Sequence, residues 1–571
     1  MSAFSHVKRL EVGQGVVSIH RLIARVRRDE SDDDVDLVVR NARIWTANPL
    51  QPWAQAVSVE NGRIKALGNN DEIAASSSAE EIDAGGRLMI PGIIDSHNHV
   101  RLGSGTQAVQ LAGAKSLPEI HQRIAEWLDA HPDASWVFGE GFDYAALPGH
   151  RHPTADDLTG ACRGLPAMLL DYSVHAAWFN REALTFLGVD HHTYAVPYGH
   201  FEHDPISGEP TGYLSDFATY GISRAGLSTL EKLIPAYGNP AQYERVRAGL
   251  AMAASYGITT VVEPQNSPDD ISLFVNARKR GDLRSRVIAA LFHPVGTTSA
   301  DLEEFEHLIS EYQGDDIRLG PIKLYIDDII EPHTAAMFEP YANKPETSGQ
   351  SYYEQSEFNR VIGALDARGL QCFVHATGDR GNHMVLNAFE HARTVNGVRD
   401  SRHQIVHVEC LKPADIPRFA ELGVVACVQP RHCAPEIIEE WRDNVGPDRW
   451  RYAWPMNSLA STAATLAFSS DWNVAEMDPM IGIYTAVTRA SLDGTREWVP
   501  EECVDVETAL RAYTVGGAYA NFVDHDRGAL KPGYLADFSL LSQNILECEP
   551  AAILDTSVHM TVMGGDIVHK D

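Results

Sequence analysis

His97 and His99, in the run GIIDSHNHV, stand one residue apart. On an extended segment alternate side chains share a face, so both imidazoles can reach one metal ion. With 25 histidines in the chain, such a pair also arises by chance. Its company gives it weight. Lys323 stands in PIKLYI, His375 in QCFVHA, His407 in HQIVHV, and Asp471 ends TLAFSSD. Imidazoles and a carboxylate at the ends of apolar runs suit Zn²⁺ or a similar divalent ion. Two such ions can acidify a water and polarise a carbonyl.

Lys323 lies in a run expected to be buried on both faces. Burying an unpaired ammonium costs several kcal/mol or forces deprotonation. A neutral amine can take up carbon dioxide as a carbamate, which is a bridging oxygen ligand. The alternative is a lysine head that escapes at the strand end or pairs with Asp327 or Asp328. The set divides into His97 and His99 on one ion and His375 and His407 on another, bridged by N6-carboxylated Lys323. Asp471 then binds the first ion and shuttles a proton from the attacking hydroxide to the leaving nitrogen. The count of ions, one or two, stays open.

Eight short apolar runs carry these residues: 92–97, 259–263, 285–292, 321–326, 371–376, 403–408, 424–429 and 465–471. Amphipathic stretches such as DLEEFEHLISEY separate them, which predicts an α/β fold, a closed (β/α)8 barrel of TIM type over 91–515. Active sites of that fold sit at the C-terminal strand ends. About 160 residues separate the first two runs, so 106–240 is read as an insertion over the catalytic face, a lid and pocket wall. Its aromatic residues Trp136, Phe142, Tyr144, Tyr172 and Trp178, with His175, suit an apolar or aromatic substrate. Each has a plain core role as its alternative. His175 and Trp178 are carried as substrate-binding candidates, as are Glu263 after the second run and Gln429 and Arg431 after the seventh. His432 is carried as a catalytic candidate, and Gln429 or His432 can also steady a metal ligand. For Arg431 the alternative is a salt bridge. Short β segments broken by NG and GG turns at 35–90, and similar text at 516–571, predict one small composite β-sandwich domain. Residues 1–34 read as a loosely attached extension.

The net charge of −31 opposes nucleic-acid backbones and anionic membranes. No apolar run is long enough for a membrane span, and the N-terminus lacks a secretory pattern, so a cytoplasmic location is expected. Seven dispersed cysteines give neither a disulfide scaffold nor a thiolate metal pair. GxSxG and Gly-rich phosphate loops are absent, which removes support for serine-hydrolase chemistry.

PGIIDSHNHV, IKLYIDD, VHATGDRGN, RHQIVHVEC, FSSDWNVAEMDP and GALKPGYLADF together resemble the amidohydrolase superfamily. Within it they are similar to the amidohydrolase-3 branch, which includes N-substituted formamide deformylases and YtcJ-like proteins. The resemblance runs from Val35 to the C-terminus. It implies His97, His99, His375 and His407 as metal ligands, Lys323 at the family's lysine position and Asp471 as the catalytic acid. Two motifs depart: DYSVHAAWFN keeps His175 and Asn180 without the usual glycine, and the lysine strand runs IDD instead of Ala-Asp-Gly. The expected activity is hydrolysis of a C–N bond in a small amide or N-substituted formamide. Lactone or cyclic amide hydrolysis, deamination or decarboxylation at the same site are alternatives, as is a ligand-binding barrel without catalysis. A small molecule is the expected partner, with a homodimer as a further expectation.

Overall fold

The computed structural model describes residues 35–73, 79–101, 108–173, 175–193, 195–196, 199–215 and 239–571. The expected extension 1–34 and parts of the 106–240 insertion lie outside the described residues.

Each of the eight apolar runs forms a barrel strand. In chain order these are β1 (Ile93–Asp95), β2 (Ile258–Asn266), β3 (Arg286–Phe292), β4 (Ile317–Tyr325), β5 (Cys372–Ala376), β6 (Gln404–His407), β7 (Val425–Val428) and β8 (Leu466–Phe468). They pair in parallel in sequence order. β5, β6 and β7 are buried at every position, as strands between a filled interior and an outer helix layer must be. Beyond the strand ends, three backbone hydrogen bonds close the seam between β8 and β1. Ser96 N donates to Phe468 O (3.3 Å), Asp471 N to His97 O (2.9 Å) and His99 N to Trp472 O (2.6 Å).

Helices between the strands include Ile271–Arg280, Ser299–Glu311, Gln355–Ala367 and Asp379–Asn396. Ser299–Glu311 starts where its pattern demands, with Thr298 and Asp301 forming a capping box. The interior is packed in layers: Ile94, Val262 and Ile288 with Ala518 and Val523, then Ala290, Phe373, Val406 and Cys427. Such a barrel is a plugged core whose polar groups gather at one mouth.

The two chain ends build one six-stranded sheet, in which Leu88–Pro91 runs antiparallel to Phe538–Leu541. A four-stranded sheet from residues 37–83 packs on it through Val39, Val59, Met89, Phe538 and Val562. Arg286, at the start of β3, fixes this unit to the barrel. Its Nε and one terminal nitrogen donate to Asp537 at 2.7 and 2.9 Å. Burial alone would raise the Asp537 carboxyl, but Arg286 outweighs it and holds it below the usual carboxylate range. Arg286→Met leaves that carboxylate buried without its partner, and is expected to cost about 3–5 kcal/mol in urea unfolding. A depressed folded pKa stabilises above the unfolded value and ceases to do so as pH falls through the folded one. The wild type therefore loses this contribution below about pH 4.

The insertion is richer in strands than its aromatic text suggests. It holds a seven-stranded sheet, with the helix Leu117–Ala130 beside it. Trp136, Phe142 and Tyr144 are buried in its own cores, and Tyr172 packs against them. Among the described residues, no helix is long and apolar enough to cross a membrane.

Candidate metal centre

The seam between β1 and β8 brings three expected residues together. His97 Nε2 lies 3.1 Å and His99 Nε2 3.2 Å from Asp471 Oδ1. Yet Asp471 Oδ1 is buried and has no hydrogen-bond partner, and neither has Nδ1 of His97 or of His99. Two ring nitrogens converging on one buried carboxylate oxygen form a donor set for a cation. The other carboxylate oxygen, Oδ2, faces His407 Nδ1 at 3.9 Å and His432 Nε2 at 3.6 Å. His97, His99 and Asp471 form one ligand-competent group, and His407, His432 and Asp471 a second, each with its donor atoms within 4.8 Å of one another. Asp471 belongs to both.

The electrostatics agree with ligand roles. Burial pushes the His97 imidazole down to about 3 and holds His407 and His375 well below the ordinary histidine value. All three are neutral at pH 7 and keep a lone pair. Burial would raise Asp471, but the ring nitrogens of His97 and His99 beside its Oδ1 outweigh it and hold the carboxyl well below its usual range. Both His407 (φ 80°) and Asp471 (φ 57°) adopt left-handed backbone conformations. Such geometry costs about 1–3 kcal/mol per residue and clusters at functional sites.

Lys323 is fully buried on β4, in register with Phe292 and Phe373. Its Nζ has no hydrogen-bond partner and lies 4.5 Å from the Tyr325 ring. Burial pushes its ammonium down to about 7. The pairing alternatives do not occur. Asp327 accepts the backbone N–H groups of Ala336, Thr377 and Gly378, and Asp328 accepts Thr334 Oγ1 at 2.8 Å and pairs with His175.

His375 stands beside both groups. Its ring is 4.4 Å from that of His407, but its Nε2 meets the Asp328 carbonyl at 3.2 Å. His432 is the one that reaches Asp471, its Nε2 3.6 Å from Oδ2, with its ring stacked over that of His407 at 6.2 Å. Gln429 Oε1 sits 2.9 Å from His407 Nδ1, and Gln429 Nε2 donates to Ser469 Oγ at 2.8 Å. An oxygen acceptor there favours the tautomer with its proton on Nδ1, leaving Nε2 as the lone-pair nitrogen. Gln429→Leu removes that restraint and is expected to weaken metal binding about 10–100-fold, read by competition with a chromophoric chelator.

The remaining candidates separate. Glu263 lies behind His99, with Oε1 3.9 Å from Nδ1, while its Oε2 accepts Arg101 N at 3.0 Å. The insertion reaches the barrel through His175, whose Nδ1 meets Asp328 and whose ring lies 5.6 Å from His375. Trp178 is instead fully buried in the insertion core, donating to Thr154 O at 2.8 Å. Asn180 caps the helix Arg181–Leu187. Arg431 is engaged by Glu476 (2.8 Å) and Glu436 (2.5 Å), the salt-bridge alternative. Sequence reasoning passed over Asp95, the last residue of β1, whose carboxylate is buried and surrounded by donors. A fully apolar run interrupted by one acid was the available signal.

Comparison with known proteins agrees with this geometry. The chain is 30% identical over 554 residues to LONG AFTER FAR-RED 3 of Arabidopsis thaliana, spanning 93% of this chain and 91% of that one. It is 24% identical to the N-substituted formamide deformylase of Arthrobacter pascens, over 93% and 97% of the two chains. In fold it is similar to an uncharacterized metal-dependent hydrolase from Pyrococcus horikoshii OT3. That match has a TM-score of 0.71 at 22% identity and covers 90% of this chain and 98% of the other. The model of the Amidohydro_3 amidohydrolase family matches residues 80–569. The chain therefore belongs to the amidohydrolase family and is a metal-dependent hydrolase whose barrel mouth carries two histidine–aspartate groups able to hold a divalent ion.

Proposed function

We propose that this centre hydrolyses the C–N bond of a small amide or N-substituted formamide. The carrying observation is one carboxylate, Asp471, set between two imidazole groups at the closing seam of the barrel. Zinc suits the nitrogen and oxygen donors, with His97 and His99 holding one ion and His375, His407 and His432 around the other. A divalent cation supplies acidity to a water and polarises the substrate carbonyl. Asp471 takes the proton of the attacking water on its carboxylate and passes it to the departing nitrogen, which leaves as an amine. Burial brings Lys323 to about 7, so a share of it is neutral amine at pH 7, and that form takes up carbon dioxide as a carbamate with release of a proton. That carbamate would supply an oxygen ligand to the ions. His175, held by Asp328, contacts substrate from the insertion side. The 24% identity to a protein named N-substituted formamide deformylase supports the choice of substrate class.

The test is a product screen on zinc-loaded protein with N-substituted formamides, N-acyl amines, lactones and amino-heterocycles. Formate and amine released in equal amounts is the expected result. Ammonia, carbon dioxide or ring-opened lactone as the main product overturns the substrate assignment. Stripping with dipicolinate is expected to abolish turnover and zinc to restore it.

A further inference from the structure

The first metal group is assembled from two chain segments, β1 with its His-Asn-His extension and the Ser-Ser-Asp run after β8. Three backbone hydrogen bonds join them, and among side chains it is Asp95 that fixes one against the other. Its Oδ1 accepts Ser470 N at 2.9 Å, and its Oδ2 accepts Ser470 Oγ at 2.6 Å and Asn98 Nδ2 at 2.8 Å. Ser470 precedes Asp471, and Asn98 lies between His97 and His99. Ser470 Oγ also accepts Trp472 N at 3.0 Å, so Ser470 is held by the carboxylate and Trp472 in turn by Ser470. Asp95 is 1% exposed.

We propose that Asp95 is the positioning residue of the first metal group, a staple across the barrel seam that sets His97 and His99 against Asp471. This rests on the reading of those three residues as ligands. Asp95 touches neither metal nor substrate, and acts through the peptide segments it holds. A carboxylate suits the task because its two oxygens offer about four acceptor sites and no donor. Every hydrogen bond described for it is charge-assisted and therefore stronger than a neutral one. Asn98 Oδ1 is buried without a partner. An asparagine at position 95 can therefore be satisfied if the Asn98 amide turns over, whereas an alanine leaves both Ser470 donors unmet and Asn98 Nδ2 with only Ser470 Oγ at 3.5 Å.

The experiment measures Co²⁺ affinity by chelator competition and the Co²⁺ visible spectrum for wild type, Asp95→Ala, Asp95→Asn and Ser470→Ala. Unfolding of each metal-free protein is followed alongside. Asp95→Ala is expected to bind Co²⁺ about 10–100-fold more weakly with an altered spectrum, and Asp95→Asn to recover most of that loss. Ser470→Ala, which keeps the backbone bond, is expected to fall between. Wild-type affinity and spectrum in Asp95→Ala overturn the proposal, as does a loss of stability with unchanged affinity. Should Asp95→Ala fail to fold, Ser470→Ala decides, and unchanged affinity there overturns it. Failure of the wild type to take up Co²⁺ overturns the ligand reading itself, and this proposal with it.

Discussion

Asp471→Asn is expected to lower kcat on a hydrolysed substrate by about 10²–10⁴-fold, with a much smaller change in KM. The side chain keeps its size but loses the capacity to accept and return a proton. One oxygen becomes an amide NH₂, a donor in place of an acceptor. In the orientation that keeps oxygen toward His97 and His99, that NH₂ faces His407 and His432, which Oδ2 meets at 3.9 and 3.6 Å. A proton shuttle and a ligand are lost together, so added zinc is expected to raise occupancy without restoring kcat. Steady-state kinetics on protein of measured metal content separates the two. A kcat within tenfold of wild type at full occupancy removes Asp471 from proton transfer.

Where the sequence was informative, the physics is local. Each barrel strand is a short apolar run, and β-branched residues buried on both faces leave few alternatives to a parallel sheet. Polar residues at the ends of such runs stand out because the runs are otherwise apolar. The limits of that reasoning show within β6. His375 pairs with Val406, and paired residues of neighbouring strands face the same way, so both point into the barrel. Alternation then sends His403, Ile405 and His407 outward. His403 obeys: its Nε2 lies 3.1 Å from Asp366 on the helix Gln355–Ala367, and its Nδ1 accepts Cys372 N at 3.0 Å. His407 has the same parity but reaches the mouth, 5.2 Å from the His97 ring. Its left-handed backbone accounts for the difference. Nothing in HQIVHV distinguishes the structural histidine from the functional one except which end of the strand it occupies.

Other features depend on contacts distant in sequence. The pairing of His175 with Asp328 spans 153 positions, and that of Asp95 with Ser470 spans 375. The aromatic residues of the insertion suited a pocket by composition, but Trp178 fills that body's own core, because a separate sheet needs an apolar interior of its own. His432 lies nearer Asp471 than linear spacing could reveal, since a short 3₁₀ turn, Pro430–Cys433, carries it back toward the seam.

Lys323→Met is expected to raise the stability of the metal-free protein while removing activity. At position 323 the ammonium is fully buried, lacks a hydrogen-bond partner and is pushed by burial to about 7 from an ordinary value of 10.5. A lysine whose folded pKa is lowered destabilises the fold. The penalty is complete below the folded value and is relieved as pH rises from about 7 toward about 10.4. Methionine has nearly the same volume and no charge to desolvate, so the gain near pH 7 is expected to be about 2–4 kcal/mol and to shrink steadily toward pH 10. Urea unfolding of both proteins in chelator at several pH values measures it. Turnover by zinc-treated Lys323→Met is expected to fall at least about 100-fold, since the variant offers no amine to carboxylate and no oxygen between the ion sites. A shorter variant, Lys323→Ala, leaves a cavity that a small carboxylic acid can enter, and added propionate is expected to return part of the lost rate. Equal stability of Lys323→Met and wild type at pH 7 rules out the buried-amine account. Full activity in Lys323→Met rules out the bridging role.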